Sequence, residues 1–243
     1  MFHNIERIRY EMKYAVTHER ANQVISDLAP YLEIDPHGND GQYAVYSVYF
    51  DTRTYKCYQE KIDGVPGRIK FRLRTYLGTE PNQWFLETKE RVRHYTSKHR
   101  IKLTTDQADL LLNNYLSPAV LDHIGYATHP VAHRLAKMLP FGVLAPVVSV
   151  YYHRHAYLFK GAWDTRITLD HNLLALPSKI STNALPSIQP IHPNDHLLIE
   201  FKGNGNMPQE MLDVICKNDL VAQSFSKYCA CIDLMNNKQI SPY

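Results

Sequence analysis

Apolar and polar residues alternate along much of this chain, and a period of two places them on opposite faces of β-strands. Eight stretches carry that pattern with β-branched or aromatic residues. They predict strands at about 6–16, 43–52, 67–77, 83–92, 95–103, 146–159, 163–171 and 196–203. Helical stretches sit between and after them. One runs from Thr17 or His18 to about Tyr31, ahead of an Asp35-Pro36-His37-Gly38 turn. A short helix follows Asp51, from Tyr55 to Lys61. Thr104 or Thr105 caps another through Asn114, with Asp106 and Asp109 near its positive end. Residues 117–140 predict one or two helices, broken near Gly125 and ended by Pro140. Pro208 opens a helix to about Asn218, and a last one runs from about Ser224 to Asn236. The proline-bearing stretch Leu176 to Asn194 reads as a long irregular excursion. No internal repeat divides the chain, so residues 1–243 are expected to form one domain.

The polar faces of these strands are charged. Arg9-x-Glu11-x-Lys13, Lys70-x-Arg72-x-Arg74, Glu87-x-Lys89-x-Arg91 and Lys98-x-Arg100-x-Lys102 each load one face. Tyr152-x-Arg154, Arg166-x-Thr168-x-Asp170 and Glu200-x-Lys202 continue the pattern. A single such strand ordinarily turns its charged face to water. Here nearly every strand carries one, the charges are arginine-rich, and enough helices exist to cover the apolar faces. That favours an α+β fold: an eight-stranded antiparallel β-barrel with helices packed on the outside and charges lining the interior.

Such a lining holds Arg9, Lys13, Lys70, Arg72, Arg74, Lys89, Arg91, Lys98, Arg100, Arg154, Arg166 and Lys202, against Glu11, Glu87, Asp170 and Glu200, about three to one. Like charges repel strongly at low dielectric, so the surplus asks for a multiply charged anion. Polyphosphate or a nucleoside triphosphate fits, because the guanidinium fork binds phosphate in bidentate fashion.

Bulk composition changes little. The net charge of +3 gives no reason to expect a nucleic-acid partner. No apolar run approaches transmembrane length and no signal-peptide pattern opens the chain, so a cytoplasmic setting is expected. The four cysteines make no CxxC pair, and the scattered histidines show no metal-ligand spacing, which reads as surface or core-edge placement.

Nine motifs, taken in order, resemble those of a known family. Arg9-Tyr10-Glu11-Met12-Lys13-Tyr14 is similar to the opening motif of the VTC domain. That domain is the polyphosphate-polymerase domain of the vacuolar transporter chaperone complex and its bacterial relatives. Tyr46-Ser47-Val48-Tyr49-Phe50-Asp51-Thr52 resembles the second motif, and Tyr58-x-Glu60-Lys61-x-Asp63-Gly64 with Arg68-x-Lys70-x-Arg72-x-Arg74-x-Tyr76 the third. Phe85-Leu86-Glu87-x-Lys89, Lys98-x-Arg100, Tyr152-x-Arg154, Arg166-x-Thr168-x-Asp170, Ile199-Glu200-x-Lys202 and Phe225-Ser226-Lys227-Tyr228 follow in order.

The resemblance places the chain among the triphosphate tunnel metalloenzymes. It implies an eight-stranded tunnel and phosphate binding by Lys13, Arg72, Arg74, Lys89, Lys98, Arg154, Arg166 and Lys227. It implies a divalent metal, manganese or magnesium, on Glu200, with Glu11 and Glu87 orienting neighbouring cations or meeting the metal through water. Tyr152 is expected close to the phosphate path, and Arg9, Lys70, Arg100 and Lys202 complete the expected lining. Eukaryotic members carry lysine at the place of Ser224, so one product-side contact differs here.

Phosphoryl transfer needs positioning and charge neutralisation more than covalent chemistry. Three activities share these ligands. One is a polymerase that moves the terminal phosphate of ATP onto a polyphosphate chain. The second is a triphosphatase, and the third a non-catalytic polyphosphate-binding domain. The hydrolytic branch typically opens with Glu-x-Glu-x-Lys, whereas this chain has Arg9 at the first position, which favours a phosphate acceptor over water. Arg9 pairing with Glu11 or Glu87 is the structural alternative. A separate membrane protein is a conceivable partner, and the oligomeric state is open.

Overall fold

The structure, a computed structural model, describes residues 9–77, 83–92, 95–178, 189–191 and 195–236. Along the chain run β1 (Arg9–Thr17), α1 (His18–Leu28), β2 (Leu32–Ile34), β3 (Gln42–Asp51), α2 (Lys56–Ile62), β4 (Gly67–Leu77), β5 (Trp84–Val92) and β6 (Tyr95–Leu103). Then come α3 (Thr105–Asn113), α4 (Pro118–His123), α5 (Pro130–Met138), β7 (Ala145–Phe159), β8 (Ala162–Pro177), β9 (Gln189–Pro190), β10 (His196–Asn204), α6 (Gln209–Lys217) and α7 (Lys227–Met235).

The strands form one antiparallel sheet in the order β1-β10-β8-β7-β3-β4-β5-β6, with β2 added to β7 and β9 to β8. The eight strands of this path are the eight expected from alternation. Closure differs from the expectation of a barrel. Strands β1 and β6 are the two ends of the hydrogen-bonded path, and the sheet curls into a tunnel without backbone pairing between them among the described residues. Instead Lys89 on β5 reaches Glu11 on β1 through their side chains, 2.7 Å apart.

Two segments read differently from the expectation. Leu32–Ile34 is a strand, but three residues are too few to show alternation. Strand β8 runs to Pro177, beyond the expected 171, because Val148–Tyr151 continue to pair with it. A bulge admits this extension. Asn172, with φ of 50°, and Leu173 together oppose the single residue Tyr152. Most of the Leu176–Asn194 excursion lies outside the described residues.

Two apolar cores hold the curl. Ile69, Phe71, Leu73, Leu86, Ile101 and Leu103, from β4–β6, pack with Ala108, Leu111, Leu121, Val131 and Leu135 of α3–α5. On the other flank Tyr14, Ile167, Leu169, Ile199 and Phe201 pack with Ala21, Val24, Leu28, Met211 and Val214 of α1 and α6. Each fully buried large side chain contributes roughly 1.5–3 kcal/mol, so the apolar strand faces go under the helices and the charged faces go inward. Local signals agree. Of the two candidate caps, Thr104 starts α3: its hydroxyl accepts from Gln107 N while the Gln107 side chain accepts from Thr104 N.

One end of the tunnel is tied together by a buried carboxylate. Asp51, at the end of β3, accepts from the backbone N–H groups of Thr52, Cys57 and Tyr58 at 2.7, 2.9 and 3.0 Å, and from the Tyr228 hydroxyl. It thereby joins β3, α2 and α7. Helix α7 is held so that Lys227, its first residue, reaches the tunnel wall.

Candidate functional site

Antiparallel register sets the charges in rungs across the inner surface. Arg72 stands opposite Glu87, and Glu87 opposite Arg100. Glu87, only 1% exposed, accepts from Arg72 Nε at 2.6 Å and Arg100 Nε at 2.8 Å, and pairs with Lys98 at 2.7 Å. On the neighbouring strands Arg74 donates to Ser47 Oγ at 2.9 Å and to the Tyr152 hydroxyl at 3.3 Å. Arg72 donates to the Tyr49 hydroxyl at 3.4 Å.

A second group forms around Glu200. Opposite charges face each other across β1 and β10, Glu11 to Lys202 and Lys13 to Glu200. Glu200 is bonded to Lys202, and lies 3.2 Å from Lys227, 3.6 Å from Lys13 and 3.6 Å from Arg154. Arg154 makes a two-point contact with Asp170, at 2.6 and 2.8 Å, and Lys227 meets the same carboxylate at 2.6 Å. Glu11 pairs with Lys13 at 3.3 Å and with Lys89 at 2.7 Å.

Electrostatics follow from this packing. Burial alone would raise the carboxyl pKa of Glu87, but Arg72, Arg74 and Lys98 outweigh it and hold the group ionised well below the usual carboxylate range. Glu11 is lowered in the same way by Lys13, Lys202 and Lys89. Glu200 is lowered by Lys202, Lys227, Lys13 and Arg154 against its burial. The cations differ among themselves. Burial, and then the Arg72 guanidinium, push Lys98 down to about 7. Burial pushes Lys202 down to about 8 although Glu200 opposes it. Lys227 goes the other way, because Asp170 and Glu200 outweigh its burial.

Of the residues expected from sequence, Glu11, Lys13, Arg72, Arg74, Glu87, Lys89, Lys98, Arg100, Tyr152, Arg154, Glu200, Lys202 and Lys227 belong to these contact groups. Lys70 sits next along β4 and donates to Ser226 Oγ at 2.7 Å. Arg166 stands opposite Lys202 and pairs with Asp35 at 3.0 Å. Arg9 opens β1 opposite Asn204, and its side chain lies outside the described structure. Sequence reading missed Ser47 and Tyr49 as partners, although both share the inward alternation of β3 opposite Arg74 and Arg72. Asp35 sits in a turn where no alternation points to it.

Among the described residues no group of three or more His, Cys, Asp and Glu side chains is placed to hold a metal ion by itself. A different mode fits the donors present. Magnesium-like ions keep water and substrate phosphate as ligands and take only one or two protein carboxylates. Glu11 and Glu200, which flank the same Lys13 ammonium, offer that pair. Glu200 is engaged by four cations and Glu87 by three, so a metal ion on either carboxylate would take the place of ammonium or guanidinium contacts.

Among the described residues no helix is long and apolar enough to cross a membrane. Among curated proteins none matches this chain in sequence. Solved structures do share its fold. A candidate adenylate cyclase from Bacillus halodurans matches with a TM-score of 0.51 at 15% identity, over 90% of this chain and 94% of that one. A protein from Pyrococcus horikoshii matches with a TM-score of 0.52 at 11% identity, over 94% and 98%. A candidate adenylyl cyclase from Hippeastrum, described as having a dominant triphosphatase activity, matches with a TM-score of 0.52 at 12% identity, over 95% and 97%. These likenesses show that the fold is shared with those structures. The family model for the VTC domain matches residues 8–236, nearly the whole chain, and with the tunnel geometry it shows that this protein belongs to the VTC domain family.

Proposed function

We propose that this protein is a metal-dependent polyphosphate polymerase. The terminal phosphate oxygen of a polyphosphate chain attacks the γ-phosphorus of ATP, the bond to the β-phosphate oxygen breaks, and ADP leaves. The observation that carries this reading is the state of the carboxylates. Glu11, Glu87, Asp170 and Glu200 are each held by two or more cations, so none is free to act as a base toward water. A phosphate acceptor is already ionised at neutral pH and needs no base. Arg9, sharing the strand face of Glu11 and Lys13, supports the same choice.

In this reading Lys13, Arg72, Arg74 and Lys89 neutralise the reacting phosphates. Lys70, Lys98, Arg100, Arg154, Arg166, Lys202 and Lys227 hold the rest of the anion, and Tyr152 flanks its path. Glu87 orients Arg72 and Arg100. Glu11 and Glu200 would hold manganese or magnesium together with phosphate oxygens, and the ion, when bound, offsets charge on those oxygens. A cytoplasmic location, with any membrane partner a separate protein, completes the proposal.

Hydrolysis of a nucleoside or inorganic triphosphate is the second reading. The triphosphatase description of the Hippeastrum structure favours it, and every phosphate ligand is shared. Purified protein incubated with ATP and manganese should give polyphosphate resolvable on a gel. Orthophosphate release without polymer would overturn the polymerase reading. An Arg9→Glu variant should then shift the balance toward hydrolysis.

A further inference from the structure

Most paired cations of the tunnel wall meet Glu11, Glu87, Asp170 or Glu200, which alternate inward on strands. Arg166 is different. Its partner is Asp35, in the turn that joins β2 to β3, with 3.0 Å between Arg166 Nη2 and Asp35 Oδ2. Asp35 is buried, although residues 36–40 beside it are all exposed. A carboxylate taken out of water is costly unless it is paired. The turn nevertheless carries this one inward, to an arginine on another strand.

The turn is clamped to β7 at Ala156, which stands opposite Thr168, two residues from Arg166 along β8. Asp35 N donates to Ala156 O at 3.0 Å, and Ala156 N donates to Gly41 O at 2.9 Å. A Cβ on Gly41, whose φ is 71°, would lie 2.7 Å from Ala156 O, so the close approach requires glycine. The two carboxylate oxygens have separate roles. Oδ1 accepts from His37 N at 3.0 Å and lies 2.6 Å from His37 Nδ1, which fixes the turn. Oδ2 faces Arg166.

Arg166 needs such a hold. It stands directly opposite Lys202 on β10, and like charges in that arrangement repel. Its side chain is 41% exposed and free to turn toward water. Among the described residues it has no ion pair besides Asp35. Arg154, by contrast, is nearly buried and engages Asp170 through two nitrogens. Asp35 meets one terminal nitrogen of Arg166, and the guanidinium is a rigid plane, so fixing that edge aims the other.

We propose that Asp35 is a positioning residue that sets the Arg166 guanidinium before the anion arrives, so that its free edge meets a phosphate group. The inference rests on the reading of Arg166 as a phosphate ligand, whatever reaction follows. A ligand that meets an arginine already ordered does not have to immobilise it, a difference of about threefold to tenfold in affinity.

The test is a double-mutant cycle on the full chain, read by calorimetric binding of inorganic triphosphate with no turnover measured. Asp35→Asn keeps an oxygen for His37 N and turns an NH2 group toward Arg166, so it removes the pairing and leaves the turn. It should weaken binding about threefold to tenfold more in the wild-type background than in an Arg166→Ala background. Direct repulsion between Asp35 and the anion acts in both backgrounds and cancels in the comparison. An effect equal in both, or a larger loss without Arg166, overturns the positioning role. A second measurement needs no Asp35 variant. The Arg166 Nε–H resonance, assigned by its loss in Arg166→Lys, should show restricted motion without ligand. Motion as free as that of the exposed Arg53 overturns the proposal. If Arg166→Ala binds triphosphate as wild type does, Arg166 lies outside the anion site and the proposal falls alone. Wild type that binds no triphosphate overturns the inner site as well. Failure to make polymer from ATP bears only on the polymerase reading.

Discussion

Glu87→Gln separates what the tunnel does for its own stability from what it does for a ligand. Glutamine keeps the shape of the side chain but removes the charge that Arg72, Lys98 and Arg100 share. Removing one partner of a buried pair costs about 3–5 kcal/mol. The Lys98 and Arg100 side chains are 36% and 39% exposed, so water screens their share. The Arg72 contact, with a half-buried guanidinium on a buried carboxylate, carries most of the effect, and the lower end, about 3 kcal/mol, applies. For a domain of this size that lowers the melting temperature by about 6–12 °C. Triphosphate at a hundred times its dissociation constant stabilises a protein by about 2.7 kcal/mol. It should stabilise the variant more than wild type, because the cations no longer divide their attraction between ligand and Glu87. The assay is urea or thermal unfolding with and without triphosphate. A variant as stable as wild type, or one that triphosphate stabilises less than wild type, would refute the view that Glu87 stands in for the anion.

Asp51→Ala provides the contrast: it should also cost about 3 kcal/mol, by stranding buried donors of β3, α2 and α7, yet triphosphate should restore none of it beyond the wild-type increment. Affinity for triphosphate should fall by up to about tenfold per pH unit above pH 7, because Lys98, with its pKa near 7, must regain a proton to pair with phosphate. Lys98→Arg should flatten that dependence in a calorimetric titration. Without ligand the sign reverses. Unfolded lysine keeps its proton to higher pH, so Lys98 taken alone makes unfolding less favourable as pH rises from about 7 toward the ordinary lysine range, measurable as a rising urea midpoint. Arg72→Ala/Arg74→Ala should lower turnover of ATP by at least about a hundredfold, read by ADP release, with a folded far-ultraviolet spectrum retained.

Most of the strand frame was legible because alternation and burial are the same fact seen twice. Ile69, Phe71 and Leu73 had to leave water, and Lys70, Arg72 and Arg74 had to go the other way. The cation surplus could also be read from spacing alone. What alternation cannot express is which cation meets which carboxylate. That Glu87 serves β4 and β6 while Glu200 serves Lys13, Arg154, Lys202 and Lys227 depends on register and curl, which are set by long-range packing. Three-residue β2 is too short to carry a period, and the continuation of β8 past 171 depends on a bulge at Asn172 that shifts the pattern by one. Asp35 lies in a turn, and its meeting with Arg166 is created by the fold alone.

Among the described residues the hydrogen-bonded sheet ends at β1 and β6, and the Lys89–Glu11 pair spans from β5 to β1. A wall sealed by backbone hydrogen bonds admits a polymer only by its tip. A wall fastened by side-chain charge behaves as a clasp. Salt loosens it, and the phosphate that Lys89 is expected to hold competes with Glu11 for the same ammonium. Loading and fastening are thus opposed at one residue. On the proposed reading, polyphosphate and salt should each weaken the Lys89–Glu11 contact that joins β5 to β1.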